Sequence, residues 1–215
     1  MDFKASIFDL DGVIVNTVSQ HFKAWQKMFK EYGKDFTFED YKEKVDGIPR
    51  TDGARAILKD LSEDELKKAG DKKQGYFLEY LESEKIAVYN TTIDLIKDFK
   101  EKNLKIAVIS SSKNCLPILK KVGLVDLFDV IITGNDTTKG KPDPQVFLMA
   151  AEKLSIKPEE CVVFEDAVLG VEAAKRAGMK CVGIDRYAKP DRLNKADLVV
   201  SDLGEVDLKK IEVLF

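Results

Sequence analysis

Ser6-Ile7-Phe8-Asp9-Leu10-Asp11-Gly12-Val13-Ile14 is the stretch on which the reading of this 215-residue chain turns. The run Ala5 to Phe8 has strand character and ends in two carboxylates at i and i+2, followed by a glycine. Side chains alternate along a strand, but Asp-Gly favours a turn, so Asp11 is expected just past the strand end, where both acids converge on one pocket. A carboxylate at the C-terminal edge of a strand is well placed for chemistry in an open α/β sheet. Two close acids repel unless a cation lies between them or one is protonated. The pair is therefore a candidate hard-metal site and a candidate nucleophile with its acid/base partner. A plain polar strand-to-loop turn has the same local sequence.

Working outward, strands are expected at 4–10, 104–109, 128–132, 161–164, 179–184 and 197–200, alternating with helices at 92–102, 113–122, 143–154 and 168–177. The runs Ile106-Ala107-Val108-Ile109, Val130-Ile131-Ile132 and Val162-Val163-Phe164 are nearly continuously apolar, as in parallel strands covered on both faces. Between Val15 and Val88 the pattern is helical and charged instead. Apolar residues recur near helical spacing from Thr17 to Tyr32 until Gly33, Thr37 and Ser62-Glu63-Asp64-Glu65 read as helix starts, and Asp46-Gly47-Ile48-Pro49-Arg50 is a break. The expected fold is α/β: a Rossmann-like doubly wound parallel sheet formed by 1–15 and 88–215, with an all-helical cap inserted at 16–87.

Composition narrows the function. Lys+Arg 35 against Asp+Glu 38 gives a net charge of -3, with no basic stripe to attract nucleic acid or anionic membranes. Cys115, Cys161 and Cys181 lie far apart with no zinc-type spacing, which suits buried thiols in a reducing compartment. No signal-type or membrane-spanning run stands out, so a cytoplasmic chain is expected.

In a parallel sheet the strand C-termini share one edge, where ligands bind. The first strand ends in Asp9 and Asp11, and the next in Ser110-Ser111-Ser112-Lys113-Asn114. The third leads through Thr133-Gly134-Asn135-Asp136 to Lys139-Gly140-Lys141-Pro142, and the fourth ends in Glu165-Asp166. Each group alone is equally an N-cap, a solvated loop charge or a helix-start acid pair. Together they fit phosphoryl transfer, which needs charge neutralisation and an in-line nucleophile. Asp9 is the candidate nucleophile and Asp11 the general acid/base. Ser110, Ser111 and the backbone N–H groups before the following helix, with Lys141, are the candidate phosphate ligands. Asp166 and Glu165, with Asp9 and the Asp11 carbonyl, are the candidate Mg2+ ligands.

Phe8-Asp9-Leu10-Asp11-Gly12-Val13, Ser110, Lys141-Pro142 and Glu165-Asp166 resemble, in order and spacing, the four motifs of the haloacid dehalogenase superfamily, in the Asp-x-Asp form of its phosphatases and phosphomutases. The insert resembles that family's C1-type cap. Within the superfamily the chain is similar to β-phosphoglucomutases: His21-Phe22-Lys23-Ala24-Trp25 looks like their cap-hinge motif, in which the histidine meets the acid/base aspartate when the cap closes. The resemblance implies substrate roles for Thr17, His21, Asp46, Gly47, Arg50 and Lys72 in the cap, and for Ser112, Lys113 and Asn114 beside the phosphate not being transferred. Trp25 reads equally as cap core or substrate wall. The lysine usual before the glycine is Asp46 here, and an aspartate common after the first motif is Asn16. The activity implied is a β-phosphoglucomutase-like interconversion of β-glucose 1-phosphate and glucose 6-phosphate. The alternatives are a phosphatase of small sugar phosphates and, more remotely, a phosphate-binding protein without catalysis. The expected partner is a small phosphorylated sugar, with no nucleic acid, no membrane and a monomeric chain.

Overall fold

The computed structural model describes residues 3–46 and 48–215. The chain divides into two compact units, residues 1–16 with 87–215, and residues 17–86.

In the first unit the chain forms β1 (Ala5–Asp9) and β2 (Val15–Asn16), and, on its return, β3 (Ala87–Val88). It continues through α5 (Asn90–Glu101), β4 (Lys105–Ile109), α6 (Cys115–Val122), β5 (Val130–Ile132) and α7 (Gln145–Leu154). It ends with β6 (Cys161–Glu165), α8 (Val168–Arg176), β7 (Lys180–Ile184), β8 (Leu198–Val200) and α9 (Leu208–Glu212). The six-stranded sheet runs in the order β5-β4-β1-β6-β7-β8, and every pairing is parallel. The chain winds outward from β1 in one direction through β4 and β5, then returns to the other side of β1 for β6 to β8. This is the doubly wound order of a Rossmann-like sheet, and it makes the C-terminal end of β1 the point where the strand order reverses.

The apolar runs form strands because both sides of the pleat are covered. Ala5, Ile7, Ala107, Ile109, Cys161 and Val163 pack with Phe147, Ala150 and Ala174 of α7 and α8. The alternate residues Phe8 and Phe164 are paired in register and stack with ring centroids 4.4 Å apart, and Phe99 of α5 lies 6.2 Å from Phe164. β2 and β3 form a separate two-residue antiparallel pair. The sequence pattern carries no sign of it, since two residues are too few to show a period.

The second unit holds α1 (Val18–Glu31), the short α2 (Phe38–Asp40) running into a π-turn (Tyr41–Val45), α3 (Arg50–Ile57) and α4 (Glu63–Ser83). Its core gathers Trp25, Met28, Phe29, Phe36, Tyr41, Ala54, Leu66 and Ala69. Both expected helix starts are built as capping arrangements. Thr37 N–H donates to Asp40 Oδ2 (2.9 Å) while Asp40 N–H donates to Thr37 Oγ1 (3.1 Å), and Ser62 N–H donates to Glu65 Oε2 (2.9 Å). Asp46 is extended, and α3 starts at Arg50 behind Pro49. Among the described residues no helix is long and apolar enough to cross a membrane.

Removing the ring that stacks on Phe8 leaves a cavity at the centre of the sheet. Phe164→Ala should lower the free energy of unfolding by about 3–5 kcal/mol in urea titrations; a loss below about 1 kcal/mol would contradict this packing.

Candidate active site

Strand register assembles the site. Asp9 is paired with Ile109, so Ser110 follows at the neighbouring strand end; Phe8 is paired with Phe164, so Glu165 and Asp166 emerge on the other side. Past Asp9 the chain folds back on itself. Leu10 C=O accepts from Ile14 N–H (2.9 Å) and Val15 N–H (3.0 Å), and Gly12 N–H donates to Val15 C=O (2.8 Å). Gly12 has φ +82°, and a Cβ there would overlap the Asp166 carboxylate, so only glycine lets this turn and the fourth strand end approach so closely.

Lys141 reaches into the same place. Its Nζ donates to Asp9 Oδ1 at 2.6 Å and also to Glu165 Oε1. The Asp9, Glu165 and Lys141 side chains are 10%, 0% and 10% exposed. Burial raises the Asp9 carboxyl above the ordinary carboxylate range; Lys141 pulls against this, while Glu165 and Asp11 add to the rise. The Lys141 ammonium is desolvated by burial, but Asp9 and Glu165 hold it charged, with its pKa raised. The loop before it is tied by Gln145, whose Oε1 accepts from Thr138 N–H (3.0 Å) and Lys139 N–H (2.9 Å).

Opposite, Ser110 is buried, and its Oγ accepts from Ser112 N–H at 3.0 Å; Ser112 Oγ accepts from Asn114 N–H at 3.1 Å. These serine-centred turns delay the helix from the expected 113 to Cys115. Ser111 and Lys113 are exposed and Asn114 is buried. Cys115, the first residue of α6, is buried, and burial raises its thiol, with the charges of Asp11 and Asp9 adding to the effect. The acid pair therefore lies close to the N-terminus of α6.

The expected core residues are thus gathered, and the Glu165 carboxylate is turned to Lys141. Glu165, expected as a metal ligand, accepts from Lys141 and from Ala167 N–H (2.8 Å) and has no exposed surface. It packs so tightly against Gly170 that a Cβ there would overlap its carboxylate. In this arrangement it anchors Lys141.

The helical unit places the remaining expected residues. Trp25 is 3% exposed and stacks on Phe29 at 5.2 Å, so it belongs to the core and not to a substrate wall. Lys72 points outward and pairs with Glu31 (2.5 Å), 46% exposed. The lysine turned inward is Lys73: it is 4% exposed, with Nζ 2.7 Å from His21 Nδ1 and 5.1 Å from the Trp25 ring centre. Its signal lay in the spacing, since Lys73 continues the buried stripe Leu66, Ala69, Gly70, Phe77 of α4. Thr17 is buried just ahead of α1. Asp46 Oδ1 accepts from the Tyr41 hydroxyl (3.0 Å), and Arg50 lies 4.0 Å from Asp71. Gly47 lies outside the described residues.

An ammonium has no lone pair, so His21 Nδ1 is the acceptor and its proton sits on Nε2. The ring stacks on Phe77 at 4.0 Å, and burial, followed by the Lys73 charge, holds its pKa well below 6.5.

This geometry has relatives. Residues 6–184 match the family described as haloacid dehalogenase-like hydrolase. The chain belongs to that family. Within the superfamily it falls in the β-phosphoglucomutase-like subgroup, and it is a phosphotransferase or hydrolase enzyme. It is 34% identical to the β-phosphoglucomutase of Bacillus subtilis (strain 168), over 96% of this chain and 92% of that protein. It is also 34% identical to a phosphorylated carbohydrates phosphatase of Thermotoga maritima, over 97% and 95% of the two chains. The crystal structure of β-phosphoglucomutase from Clostridium difficile superposes with a TM-score of 0.87 at 32% identity, covering 99% of this chain and 96% of that one. Membership of the superfamily implies Mg2+-dependent catalysis as a general rule.

Two predictions follow from this geometry. Gly12→Ala forces a left-handed φ and a clash with Asp166, and should reduce stability by about 1–3 kcal/mol in denaturant titrations. For His21, above pH 6.5 the ring is neutral in both folded and unfolded chains. Below it only the unfolded chain takes the proton, so stability should fall with falling pH, at a slope approaching about 1.4 kcal/mol per pH unit. Urea titrations at stepped pH from 7.5 to about 5.5 measure this, and His21→Gln should flatten the slope.

Proposed function

We propose that the chain is a Mg2+-dependent phosphoryl transferase acting on small sugar phosphates through an aspartyl-phosphate, with β-phosphoglucomutase-like interconversion of β-glucose 1-phosphate and glucose 6-phosphate as its reaction. The observation that carries this reading is the Asp9–Lys141–Glu165 cluster at the reversal point of the sheet, 2.6 Å from Asp9 Oδ1 to Lys141 Nζ, beside the N-terminus of α6.

In the first half-reaction the Asp9 oxygen not held by Lys141 attacks phosphorus. The bond from phosphorus to the leaving oxygen breaks, and that oxygen takes a proton from the Asp11 carboxyl. In the second, an incoming hydroxyl gives its proton to Asp11 and attacks the same phosphorus, and the bond to Asp9 breaks to restore its carboxylate. Lys141, Ser110, Ser111 and the N–H groups ahead of α6 hold the phosphoryl oxygens.

The donor set suits Mg2+. Asp9 lies beside the charges of Asp11 and Glu165, which disfavour its ionisation and which a cation would offset, and the Asp166 carboxylate lies against Gly12. Among the described residues no group of three or more His, Cys, Asp and Glu side chains is spaced to hold an ion. Mg2+ needs only one or two carboxylates, with water and phosphate oxygens for the rest. Asp9, the Asp11 carbonyl and Asp166 are the residues we assign to it, and when bound it supplies positive charge to the nucleophile and the phosphoryl oxygens.

Lys113 and Asn114 are assigned to the phosphate not in transfer, and His21, Lys73 and Arg50 of the helical unit to selection of the sugar. The Tyr41 hydroxyl on Asp46 partly satisfies the carboxylate that stands where a lysine is usual. That carboxylate, and the phosphatase relative at the same 34% identity as the mutase, favour a second reading in which water is the acceptor.

The two readings differ in the fate of the phosphoryl group. With β-glucose 1-phosphate, Mg2+ and catalytic glucose 1,6-bisphosphate, 31P NMR should record glucose 6-phosphate as the main product; inorganic phosphate alone would establish the second reading instead. Asp9→Asn should abolish turnover by several orders of magnitude while retaining the fold. Substantial activity in that variant would show that the nucleophile is misassigned.

A further inference from the structure

We propose that Arg186 is a positioning residue for the Asp11–Gly12 turn, holding the acid/base aspartate in its working geometry. The inference rests on the proposed role of Asp11.

The turn after β1 has one loose link. The peptide planes on either side of Asp11 are held from within, through Leu10 C=O, which accepts from Ile14 and Val15, and through Gly12 N–H, which donates to Val15 C=O. The plane after Gly12 follows a residue with no Cβ to restrict it. Its carbonyl accepts from Arg186 Nε at 2.7 Å, so the tie comes from the loop after β7, two strands away at the same edge of the sheet.

The guanidinium is held in turn. It lies over the Tyr89 ring, with Cζ 3.8 Å from the ring centre, and Tyr89 N–H donates to Ile14 C=O at 2.9 Å. Nη1 reaches Ser201 C=O (3.4 Å) and lies 3.7 Å from Asp202 Oδ2. Arg186 thereby joins the loops after β1, β7 and β8. Its Nη2 is buried without a protein hydrogen-bond partner. A buried donor left unpaired is uncommon, and it marks a side chain whose orientation is set by the Nε bond and the aromatic stack. A lysine has neither the planar face nor a donor at the Nε position.

Asp166, which packs against Gly12, is placed by the end of β6, while Arg186 holds the turn itself. Arg186 needs no contact with substrate to do this. It acts through the backbone, and the effect should be selective for the step that needs a proton from Asp11.

Arg186→Met tests this with two phosphoryl donors. When glucose 1,6-bisphosphate gives a phosphoryl group to Asp9, the P–O bond breaks and glucose monophosphate departs as an alkoxide that needs the Asp11 proton; p-nitrophenyl phosphate releases p-nitrophenolate, which is stable without it. The variant should lose about 10- to 100-fold in kcat/KM for the bisphosphate and far less for the aryl ester. Equal losses on both, or no loss on the bisphosphate, would overturn the proposal. Amide hydrogen exchange supplies a readout independent of turnover: exchange at Gly12, Ile14 and Val15 should accelerate in Arg186→Met with the sheet amides unchanged, and unchanged exchange at the turn would equally overturn it. Should the wild-type chain transfer phosphate from neither donor, the proposed function fails while the exchange measurement still decides on Arg186. If Arg186→Met does not fold, Tyr89→Leu, which removes the stack and keeps the guanidinium, should show the same donor-selective loss at smaller size; equal loss on both donors there would overturn the proposal.

Discussion

The Lys141 ammonium between the Asp9 and Glu165 carboxylates is the interaction on which the rest of the site depends. All three charges are nearly or wholly removed from water. Removing such ions from water costs several kcal/mol each, and their mutual attraction offsets this only when the geometry is good. Here the geometry is imposed by strands: β1 and β6 are neighbours in register, and the loop carrying Lys141 descends onto their ends. The triad therefore gains little for stability as such. It places an ionised lysine against a buried carboxylate at the point in the sheet where strand order reverses.

That arrangement explains why the pocket is built from opposing tendencies. Burial and neighbouring acids push Asp9 toward its neutral form, while Lys141 pulls it toward the carboxylate. A further cation, or a phosphoryl group held by the α6 N-terminus, changes this balance directly. Glu165 contributes from behind, as a buried counter-charge that keeps Lys141 extended toward Asp9. The turn at Gly12 brings Asp11 round to the same side, and the absence of a side chain there is what admits Asp166.

The helical unit follows a different logic. Its core is aromatic, with Trp25, Phe29, Phe36 and Tyr41 packed together, and the buried Lys73 is placed over that core beside a neutral imidazole. Lys73 and His21 form a polar pair set into an apolar stripe. A pair of this kind constrains both side chains, because each has few alternative partners in such surroundings.

Local chemistry along the chain determined a great deal. Continuous apolar runs alternating with helical spacing specify a parallel sheet, because only strands covered on both faces can be apolar at every position. The acids, serines and Lys141 are recognisable as strand-end residues for the same reason, and Thr37, Ser62 and Gly12 mark caps and turns by interactions that span only a few residues. Tertiary structure decided what short-range pattern cannot carry. Lys72 and Lys73 are adjacent in sequence, and only the packing of α4 turns one outward and the other to His21. Trp25 became core, and Glu165 an anchor, through neighbours 28 and 24 residues away, Gly53 and Lys141. Arg186 reaches Gly12 across 174 residues. A side chain's direction depends on which elements pack against it, and that is settled only when the whole chain has folded.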